Sequence, residues 1–307
     1  MSKTPHISVL LEASIDALNI DPSGIYVDGT FGAGGHSYHI LKHIQSGHLY
    51  AFDQDLHVNP SKDTRFKDHA SFTFIQHNFS TMKQTLNQFG VEEVDGILLD
   101  LGMSSMHIDQ AERGFSYMQD GPLDMRMNQS LMLTAETVLN TYDHHQLLKV
   151  FRDFGEIEKP HVFANVIIKN RPYKTTLDLV KVTDIFFKNK KGHSAKSVFQ
   201  ALRIEVNQEL KVLEDVLQQS LTLLKPGGRL VVITFHSLED RIVKHFMKEN
   251  SFVKELKGLP IQSSQIPPMK LITKKPILPS KEEISLNSRS ASAKLRVSEK
   301  QANHSII

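Results

Sequence analysis

Short apolar runs alternate along this chain with longer stretches in which apolar residues recur at helical spacing. The runs occupy residues 24–31, 47–55, 71–79, 94–102 and 227–237. Because they lack the period-two alternation of a half-exposed strand, they predict strands that are buried on both faces. Buried strands separated by helices are typical of a parallel sheet covered on both sides. The pattern therefore predicts the α/β class, with a Rossmann-like, mostly parallel sheet.

A different pattern fills the chain between the fourth and fifth runs. From His107 to Asn207 the spacing is mostly helical, and the stretch is far longer than a crossover needs. We interpret 107–207 as an inserted helical subdomain, and we assign 1–106 and 208–307 to one discontinuous sheet domain. The Pro-Gly-Gly at 226–228 predicts the end of an amphipathic helix. The last forty residues predict a late strand or two and then a loosely held tail.

Composition excludes several classes of protein. The chain has 307 residues, of which 40% are hydrophobic and 23% charged, and this balance predicts a globular protein. No stretch has the roughly 18 apolar residues of a membrane span, so we expect a cytoplasmic protein with no membrane partner. The absence of cysteine excludes disulfides, a thiolate nucleophile and a thiolate zinc site. No metal site is predicted, because the histidines form no ligand motif such as HExxH.

Positive charge is concentrated in two stretches, although the net charge is only +2. Asn165 to Arg203 contains nine Lys or Arg against two acids, and Lys254 to Lys300 contains ten against four. Clusters of this kind are typical of proteins that bind a polyanion such as a nucleic acid. The alternative is that they form ordinary solvated helix faces.

Four glycines lie within seven residues directly after the first predicted strand, in the sequence VDGTFGAGGHS. Such a loop brings backbone N–H groups close to a ligand, and a helix that starts near His36 or Ser37 points its positive end at the same place. The spacing is GxGG and not the dinucleotide GxGxxG, and Tyr38 follows where a third glycine would help. The loop indicates a nucleotide-like cofactor, and its spacing disfavours a dinucleotide.

Carboxylates follow the next strands at positions suited to such a cofactor. Asp53 lies about twenty residues after the loop, where an acid accepts hydrogen bonds from ribose hydroxyls, and we interpret Asp55 as a cap. Phe79 is expected near an adenine ring, with a core position as the alternative. Asp100 ends the fourth strand at the edge where open α/β sheets bind ligands.

Polar residues also crowd the loops after the fourth and fifth strands. Ser104 and Ser105 follow Asp100, and helix capping is the alternative role for at least one of them. His236 and Ser237 follow the fifth strand, and the acids and arginine after them could be no more than the capping charges of a helix start.

Blocks of sequence between His6 and Glu299 form one ordered series, which includes VDGTFGAGGHS, VDGILLDLGMSS, DGPLDMRM, FQALRIEVN, FHSLEDR and SAKLRV. The series resembles the bacterial 16S ribosomal RNA cytosine-N4 methyltransferase family, RsmH or MraW. The resemblance implies a class I methyltransferase that uses S-adenosylmethionine and modifies a cytosine of the small-subunit decoding centre. It implies a cofactor site formed by Gly34, Gly35, His36, Asp53, Phe79, Asp100 and His107.

The chain departs from the family pattern at three places. His107 replaces the usual Gln, Ser197 replaces a basic residue before FQALR, and Ala291 replaces an Arg of the C-terminal motif. The last two changes remove potential phosphate contacts and put the RNA context in doubt. The change to His107 puts that one contact in doubt but not the site.

The chemistry of such a reaction requires a positioned acceptor for the cytosine amine. The catalytic residues that we predict are Asp100, Ser104, His236 and Ser237. A pocket is needed for a base that leaves its stack. For base or phosphate contacts we predict Asp124, Arg126, Phe199, Gln200 and Arg203. A structural ion pair is the alternative for Asp124 with Arg126, and a core position is the alternative for Phe199.

The expected partner is 16S rRNA or the small ribosomal subunit, and the expected oligomeric state is a monomer or a homodimer. Two other functions remain open from the sequence. A nicotinamide-dependent oxidoreductase would use the same kind of sheet, although the GxGG spacing disfavours it. A non-catalytic RNA-binding or assembly protein would use only the basic stretches, although the residues expected at a cofactor site are present except for the change to His107.

Overall fold

The structure, a computed structural model, describes residues 8–188, 192–252 and 266–302. The chain divides into two compact units. The first, called the sheet unit, consists of Met1–Gly102 and Val212–Ile307, and the second, called the helical unit, is Met103–Lys211. The sequence pattern placed the insert at 107–207, a few residues inside these bounds.

The sheet unit contains a seven-stranded sheet in the order β3-β2-β1-β4-β5-β7-β6. Strands β1 to β5 are parallel, whereas β7 is antiparallel to both of its neighbours. The α/β class with a mostly parallel sheet is therefore confirmed. The strands are β1 (Ile25–Asp28), β2 (His48–Phe52), β3 (Phe72–Ile75), β4 (Val94–Asp100), β5 (Leu224–Thr234), β6 (Met269–Leu271) and β7 (Lys294–Lys300).

The apolar runs form strands because both faces of the sheet are covered. Residues such as Val27, Leu99 and Val232 are fully buried within one hydrophobic cluster. In register, Asp28 lies opposite Leu98 and Asp100 lies opposite Ile233, so the carboxyl ends of β1, β4 and β5 share one edge. This edge is where ligands of open α/β sheets bind.

The C-terminal region contains the two late strands that the sequence predicts, β6 and β7. Strand β7 pairs with β5 and β6 inside the sheet, and the tail expected after it lies mostly outside the described residues. Leu295 and Val297 on this strand are almost completely buried, and burial of apolar side chains offsets the cost of ordering the segment. The helix before β5 ends at Leu223, three residues before the Pro-Gly-Gly at which its end was predicted. Gly227 of that tripeptide lies within β5 and has a φ of 85°.

Helices connect the strands and build the helical unit. Among the described residues they are α1 (Leu11–Leu18), α2 (Gly35–His43), α3 (Met82–Gln88), α4 (Ser105–Asp109), α5 (Ala135–Thr141), α6 (His144–Asp153), α7 (Pro160–Lys169), α8 (Thr176–Phe186), α9 (Lys196–Asn207), α10 (Glu209–Leu223), α11 (Ser237–Glu249) and α12 (Lys281–Leu286). None of the described helices combines the length and the apolar character that a transmembrane segment needs.

The helical unit has a hydrophobic core of its own. Phe151, Phe163 and Leu202 are fully buried in one cluster that draws on α5 to α9. Helix α6 starts with a capping box in which Asp143 and Gln146 satisfy each other's backbone N–H groups. This core is separate from the hydrophobic cluster of the sheet unit.

Candidate functional site

The glycine loop after β1 leads into the N-terminus of α2. Gly34 is the residue before the helix and has a left-handed backbone with φ 73°. A side chain at Gly34 would place its Cβ 2.6 Å from the Phe66 ring, and one at Gly35 would lie 1.8 Å from the Ser8 hydroxyl. Packing within the protein is thus sufficient to exclude side chains here. Contact of Gly34 and Gly35 with a cofactor stays a prediction.

Asp53 follows β2 and connects that strand to the glycine loop. Its Oδ2 accepts a hydrogen bond from the Gly32 N–H at 2.8 Å, and its Oδ1 accepts one from the Asp55 N–H at 2.9 Å. Asp55, interpreted from the sequence as a cap, accepts from the His57 N–H and so closes a turn that no α-helix follows. The Asp53 carboxylate is only partly buried, so it keeps a face toward the strand edge.

Asp28 ends β1 and is completely buried beneath the loop. It accepts hydrogen bonds from the Ser37 hydroxyl at 2.6 Å and from the Thr30 N–H at 3.0 Å. Burial raises the pKa of Asp28 to about 6, because desolvation of the charged form outweighs these hydrogen bonds. Asp28 therefore orders the loop from below.

Asp100 ends β4 beside these groups. Its backbone N–H donates to the Thr30 hydroxyl at 2.7 Å, which fixes the strand end against the glycine loop. Among the described residues, the buried Oδ1 of Asp100 has no hydrogen-bond partner. Burial raises the pKa of Asp100 well above its usual value, and the nearby carboxyls of Asp28 and Glu239 raise it further. An unsatisfied buried carboxyl oxygen is costly, and it indicates a ligand site.

His36, in the first turn of α2, lies close to Asp100. The distance from its Nδ1 to Oδ2 of Asp100 is 3.5 Å, and its Nε2 lies 3.1 Å from the Val9 carbonyl oxygen. A carbonyl oxygen only accepts, so Nε2 carries a proton and donates it to Val9. Nδ1 is therefore the atom of this ring that can exchange a proton with Asp100.

The loop after β5 holds a capping arrangement. His236 is the residue before α11, and its side chain accepts from the Glu239 N–H while the Glu239 carboxylate accepts from the His236 N–H. Asp240 binds Arg296 at 2.7 Å, and the Arg and Lys294 lower its pKa although burial opposes them. The alternative interpretation as helix-start charges thus fits Glu239 and Asp240. Ser237 is exposed.

Phe79 begins a single 3-10 turn after β3 and is partly buried against the sheet core. Asn78 caps that turn with its Oδ1 and donates from Nδ2 to Gln54 at 2.8 Å. The core alternative for Phe79 therefore accounts for part of its surface only. Its exposed remainder stays available for a flat ring.

Ser104 and His107 belong to the helical unit. Ser104 caps α4 by accepting a hydrogen bond from the His107 N–H at 3.4 Å, so the alternative role as a helix cap applies to this serine. The His107 ring is 5% exposed and stacks on Phe115 at 4.8 Å between ring centroids. Roles for Ser104 in catalysis and for His107 in cofactor binding stay predictions.

Asp124 and Arg126 form the ion pair that the sequence left open as an alternative. Two guanidinium nitrogens of Arg126 donate to the two carboxylate oxygens of Asp124, at 2.8 and 2.7 Å. Arg126 also donates to the backbone carbonyls of Gln129 and Leu131. Burial acts to raise the pKa of Asp124, but the bonds from Arg126 outweigh it and the pKa falls below the usual value. This pair closes a loop of the helical unit.

Phe199, Gln200 and Arg203 meet at one cavity of about 150 Å³ within the helical unit. Phe199 is 4% exposed and belongs to the core cluster, while one of its faces lines the cavity. Gln200 donates to the Phe154 carbonyl, and Arg203 makes a two-pronged ion pair with Glu209 at 2.8 and 2.9 Å. Aromatic, amide and cationic groups thus share one lining.

Sequence reasoning missed other residues of this cavity, which are Met103, Phe115, Tyr117, Met125 and Lys196. A signal existed for Lys196, because residues 196, 199, 200 and 203 recur at the three- and four-residue spacing of one helix face. No comparable signal marked Phe115 and Tyr117, which lie outside regular helices.

Comparisons with known proteins identify similar chains. A profile of the MraW methylase family matches residues 3–301. The chain is 54% identical over 297 residues to ribosomal RNA small subunit methyltransferase H 1 of Acholeplasma laidlawii, covering 97% of this chain and 99% of that one. It is 51% identical over 302 residues to the methyltransferase H of Onion yellows phytoplasma, covering 98% and 99%. An rRNA methylase structure from Streptococcus thermophilus is 12% identical, covers 98% and 99%, and has a TM-score of 0.42.

Proposed function

This chain belongs to the MraW methylase family, and from that premise we propose that it transfers the methyl group of S-adenosylmethionine to the N4 amine of a cytosine in 16S ribosomal RNA. The observation that carries the proposal is the Asp100 carboxyl group, whose buried Oδ1 has no partner among the described residues. The names of the curated relatives support small-subunit rRNA as the substrate class. The same substrate supports the cytoplasm as the compartment.

The donor set of the sheet unit fits the cofactor. Asp53 would hold the ribose hydroxyls, since its partly buried carboxylate lies at the end of β2 and is already oriented by two backbone N–H groups. Gly34, Gly35 and His36 would line the methionine side and Phe79 the adenine. When bound, S-adenosylmethionine supplies an electrophilic methyl group on a positively charged sulfonium.

Asp100 would act on the nucleophile. The lone pair of the cytosine amine is conjugated with the ring, so the amine needs an acceptor for its N–H bonds. The partnerless Oδ1 supplies such an acceptor. Transfer of the methyl group would break its bond to sulfur and release S-adenosylhomocysteine, and the nitrogen would gain positive charge so that one of its protons becomes acidic. A carboxylate whose pKa is raised by burial stabilises that charge and is a better proton acceptor than an exposed aspartate.

His36 would position Asp100. Its Nε2 is tied to Val9, so the ring cannot turn freely and Nδ1 stays directed at Oδ2 of Asp100. The separation of 3.5 Å is longer than a good hydrogen bond, but it is short enough for an ion pair when Nδ1 also carries a proton. Nδ1 can therefore share the proton that Asp100 receives. His236 and Ser237, predicted as catalytic, are proposed only to shape the neighbouring strand end.

The cavity of the helical unit would bind a base of the RNA substrate. Its volume of about 150 Å³ matches the size of cavity that accepts one benzene ring, and a pyrimidine is a single ring of that size. Phe199 would stack on the base, while Gln200, Lys196 and Arg203 offer polar groups to the base edge and phosphates. Asp124 and Arg126 already satisfy each other, so their proposed contact with RNA is indirect, through the loop that they hold.

The test is incubation of purified protein with labelled S-adenosylmethionine and undermethylated small subunits, and in parallel with protein-free 16S RNA, followed by nucleoside mass spectrometry. N4-methylcytidine at one position is the expected product. Binding of S-adenosylhomocysteine without any labelled RNA would contradict the substrate. Binding of NADH in place of S-adenosylhomocysteine would support the alternative function as an oxidoreductase.

A further inference from the structure

A second cavity, of about 200 Å³, lies in the sheet unit between α11 and the strands β6 and β7. We call it the basic cleft, and its lining residues are Lys244, Met247, Lys248, Phe252, Leu271, Thr273, Lys274 and Arg296. The lining contains four cationic side chains and no carboxylate. The cleft is therefore suited to an anion.

Three of the four cations in the basic cleft are uncompensated. Arg296 is neutralised by Asp240, with a distance of 2.7 Å from Nε to Oδ1. Lys244, Lys248 and Lys274 are exposed, and none of them makes an ion pair with any residue that the structure describes. Lys244 and Lys248 stand four residues apart on α11, an arrangement in which like charges destabilise a helix. An anionic ligand would relieve that repulsion.

The floor of the basic cleft is apolar. Met247 is 1% exposed and Leu271 is partly buried, whereas the Phe252 side chain is 60% exposed at the rim. An exposed aromatic ring beside lysines is the combination with which proteins bind single-stranded nucleic acid, because bases stack on the ring and phosphates meet the cations. A simple inorganic anion would make no use of the apolar floor or of the ring.

The position of the basic cleft separates it from the catalytic edge. In the sheet order, β6 is three strands away from β4, which ends at Asp100. With strands about 4.8 Å apart, this spans roughly 14 Å. Leu271 pairs with Ser298, which in turn pairs with Leu230, three residues before the level of Ile233 and Asp100. The cleft is thus too distant to hold the reacting base and its cofactor.

We propose that the basic cleft is a second RNA-binding site, which holds a single-stranded nucleotide segment of the substrate with its phosphates on Lys244, Lys248 and Lys274 and a base stacked on Phe252. The proposal rests on the proposed function for the identity of the RNA. It assigns to the sheet unit a part in substrate selection that the catalytic edge does not supply.

Charge also argues against one occupant from the chain itself. The stretch 253–265, which follows Phe252 directly, contains two lysines and one glutamate, so its net charge is positive. An occupant with positive net charge would add to the repulsion among Lys244, Lys248 and Lys274 and would not neutralise it. A polyanion is the occupant with complementary charge.

The test compares two triple variants of the full-length protein that lose the same charge. One is Lys244→Gln with Lys248→Gln and Lys274→Gln, and the control is Lys62→Gln with Lys67→Gln and Lys281→Gln, three exposed lysines of the sheet unit. Binding to protein-free 16S RNA is measured from 50 to 200 mM salt. Loss of three phosphate contacts should reduce the slope of log affinity against log salt by about 2 in the first variant only.

A second variant probes the ring. Phe252→Ala should weaken RNA binding by about 5-fold to 100-fold, the range for loss of one stacked base, and should leave the salt slope unchanged. For both variants we expect the rate at saturating RNA and the affinity for S-adenosylhomocysteine to match the unmodified protein. The substitutions are at exposed positions, so folding is checked by the same affinity measurement.

Each outcome decides between the two proposals. If the unmodified protein methylates RNA and both cleft variants bind it like the control, the basic cleft proposal is wrong and the proposed function stands. If the cleft variants lose affinity for assembled small subunits but not for protein-free RNA, the cleft contacts a ribosomal protein and the RNA assignment is overturned. If the unmodified protein methylates no RNA, the failure lies in the proposed function.

Discussion

Asp100 in the sheet unit and Asp124 in the helical unit are both aspartates with mostly buried side chains, 24% and 16% exposed, yet their surroundings are opposite. Asp124 binds the Arg126 guanidinium through both oxygens, and its pKa is lowered. Asp100 has one buried oxygen with no partner among the described residues, and its pKa is raised. The desolvation cost of the Asp100 carboxyl group is therefore not offset by a hydrogen bond to Oδ1 from any described residue. This is the condition expected of a group that acts on a ligand.

The largest effect should come from removing the charge of Asp100. Asp100→Asn keeps the size of the side chain but loses the proton acceptor and most of the charge stabilisation. We expect steady-state turnover to fall about 100-fold to 1000-fold, the usual loss when one electrostatic contact to a transition state is removed. The control is Asp95→Asn, at the other end of the same strand, which should alter stability through its ion pair with Lys225 but not turnover.

The second largest effect should be on the pH dependence of the free energy of unfolding. Asp28 shares the raised pKa of the sheet edge, at about 6 in the folded protein against 3.8 for an ordinary aspartate. Between these values the unfolded chain loses its proton first, so the free energy of unfolding should fall by about 2 kcal/mol as pH rises from 4 to 6. In Asp28→Asn the decrease should be smaller by this amount, while the part that comes from the raised pKa of Asp100 remains. Chemical denaturation at several pH values measures it.

Asp124 should behave with the opposite sign. Its lowered pKa means that its contribution to stability is present above the ordinary value of 3.8 and is lost as pH falls through the folded pKa.

The prediction for Asp28 has a clear contrary outcome. If the free energy of unfolding of Asp28→Asn and of the unmodified protein shows the same dependence on pH between 4 and 6, the burial argument for the sheet edge is wrong.

Asp53→Ala should weaken binding of S-adenosylhomocysteine by about 1 to 3 kcal/mol, which corresponds to loss of hydrogen bonds to a charged group. The substitution also frees the Gly32 N–H of the glycine loop. Titration calorimetry measures the affinity, and Asp21→Ala, an exposed aspartate before β1, is the control. Equal affinities in the two variants would remove Asp53 from the cofactor site.

The smallest effect should come from a substitution in the helical unit, and it should be on stability and not on turnover. Arg126→Gln breaks a partly exposed pair and two bonds to backbone carbonyls, and we expect it to lower the free energy of unfolding by about 1 to 2 kcal/mol. Turnover at saturating RNA should stay within about twofold. A large rise in KM without any loss of stability would instead support the direct RNA contact that the sequence predicted for this residue.

The two regions also differ in how far the sequence predicts them. At the sheet edge, strand ends and the positions of Asp53 and Asp100 follow from local patterns, because parallel strands align their carboxyl ends. The packing of Gly34 on Phe66 and of Gly35 on Ser8 was not predictable, since it depends on segments far apart in the chain. The sequence predicted a late strand, but the place of β7 inside the sheet was not predictable for the same reason, because its partners β5 and β6 determine it.

In the helical unit, the sequence predicted which residues line a cavity but not the hydrogen bonds and ion pairs that these residues make. Phe199, Gln200 and Arg203 were predicted from the FQALRIEVN block of the family resemblance, and they line one cavity. The pairing of Arg203 with Glu209 and the aromatic neighbours Phe115 and Tyr117 depend on loop geometry that no periodicity encodes. Sequence reasoning therefore indicated where polar groups gather but not which of them are already neutralised.

The most direct measurement is the single-turnover rate of N4-methylcytidine formation by rapid quench, with Asp100→Asn and Asp124→Asn compared at saturating cofactor and RNA. This design removes product release, which often limits steady-state turnover, and isolates the methyl transfer. The account predicts a rate at least about 100-fold lower for Asp100→Asn and within a few-fold of the unmodified protein for Asp124→Asn. Equal rates in the two variants would contradict the assignment of the partnerless carboxylate as the group that acts on the cytosine amine.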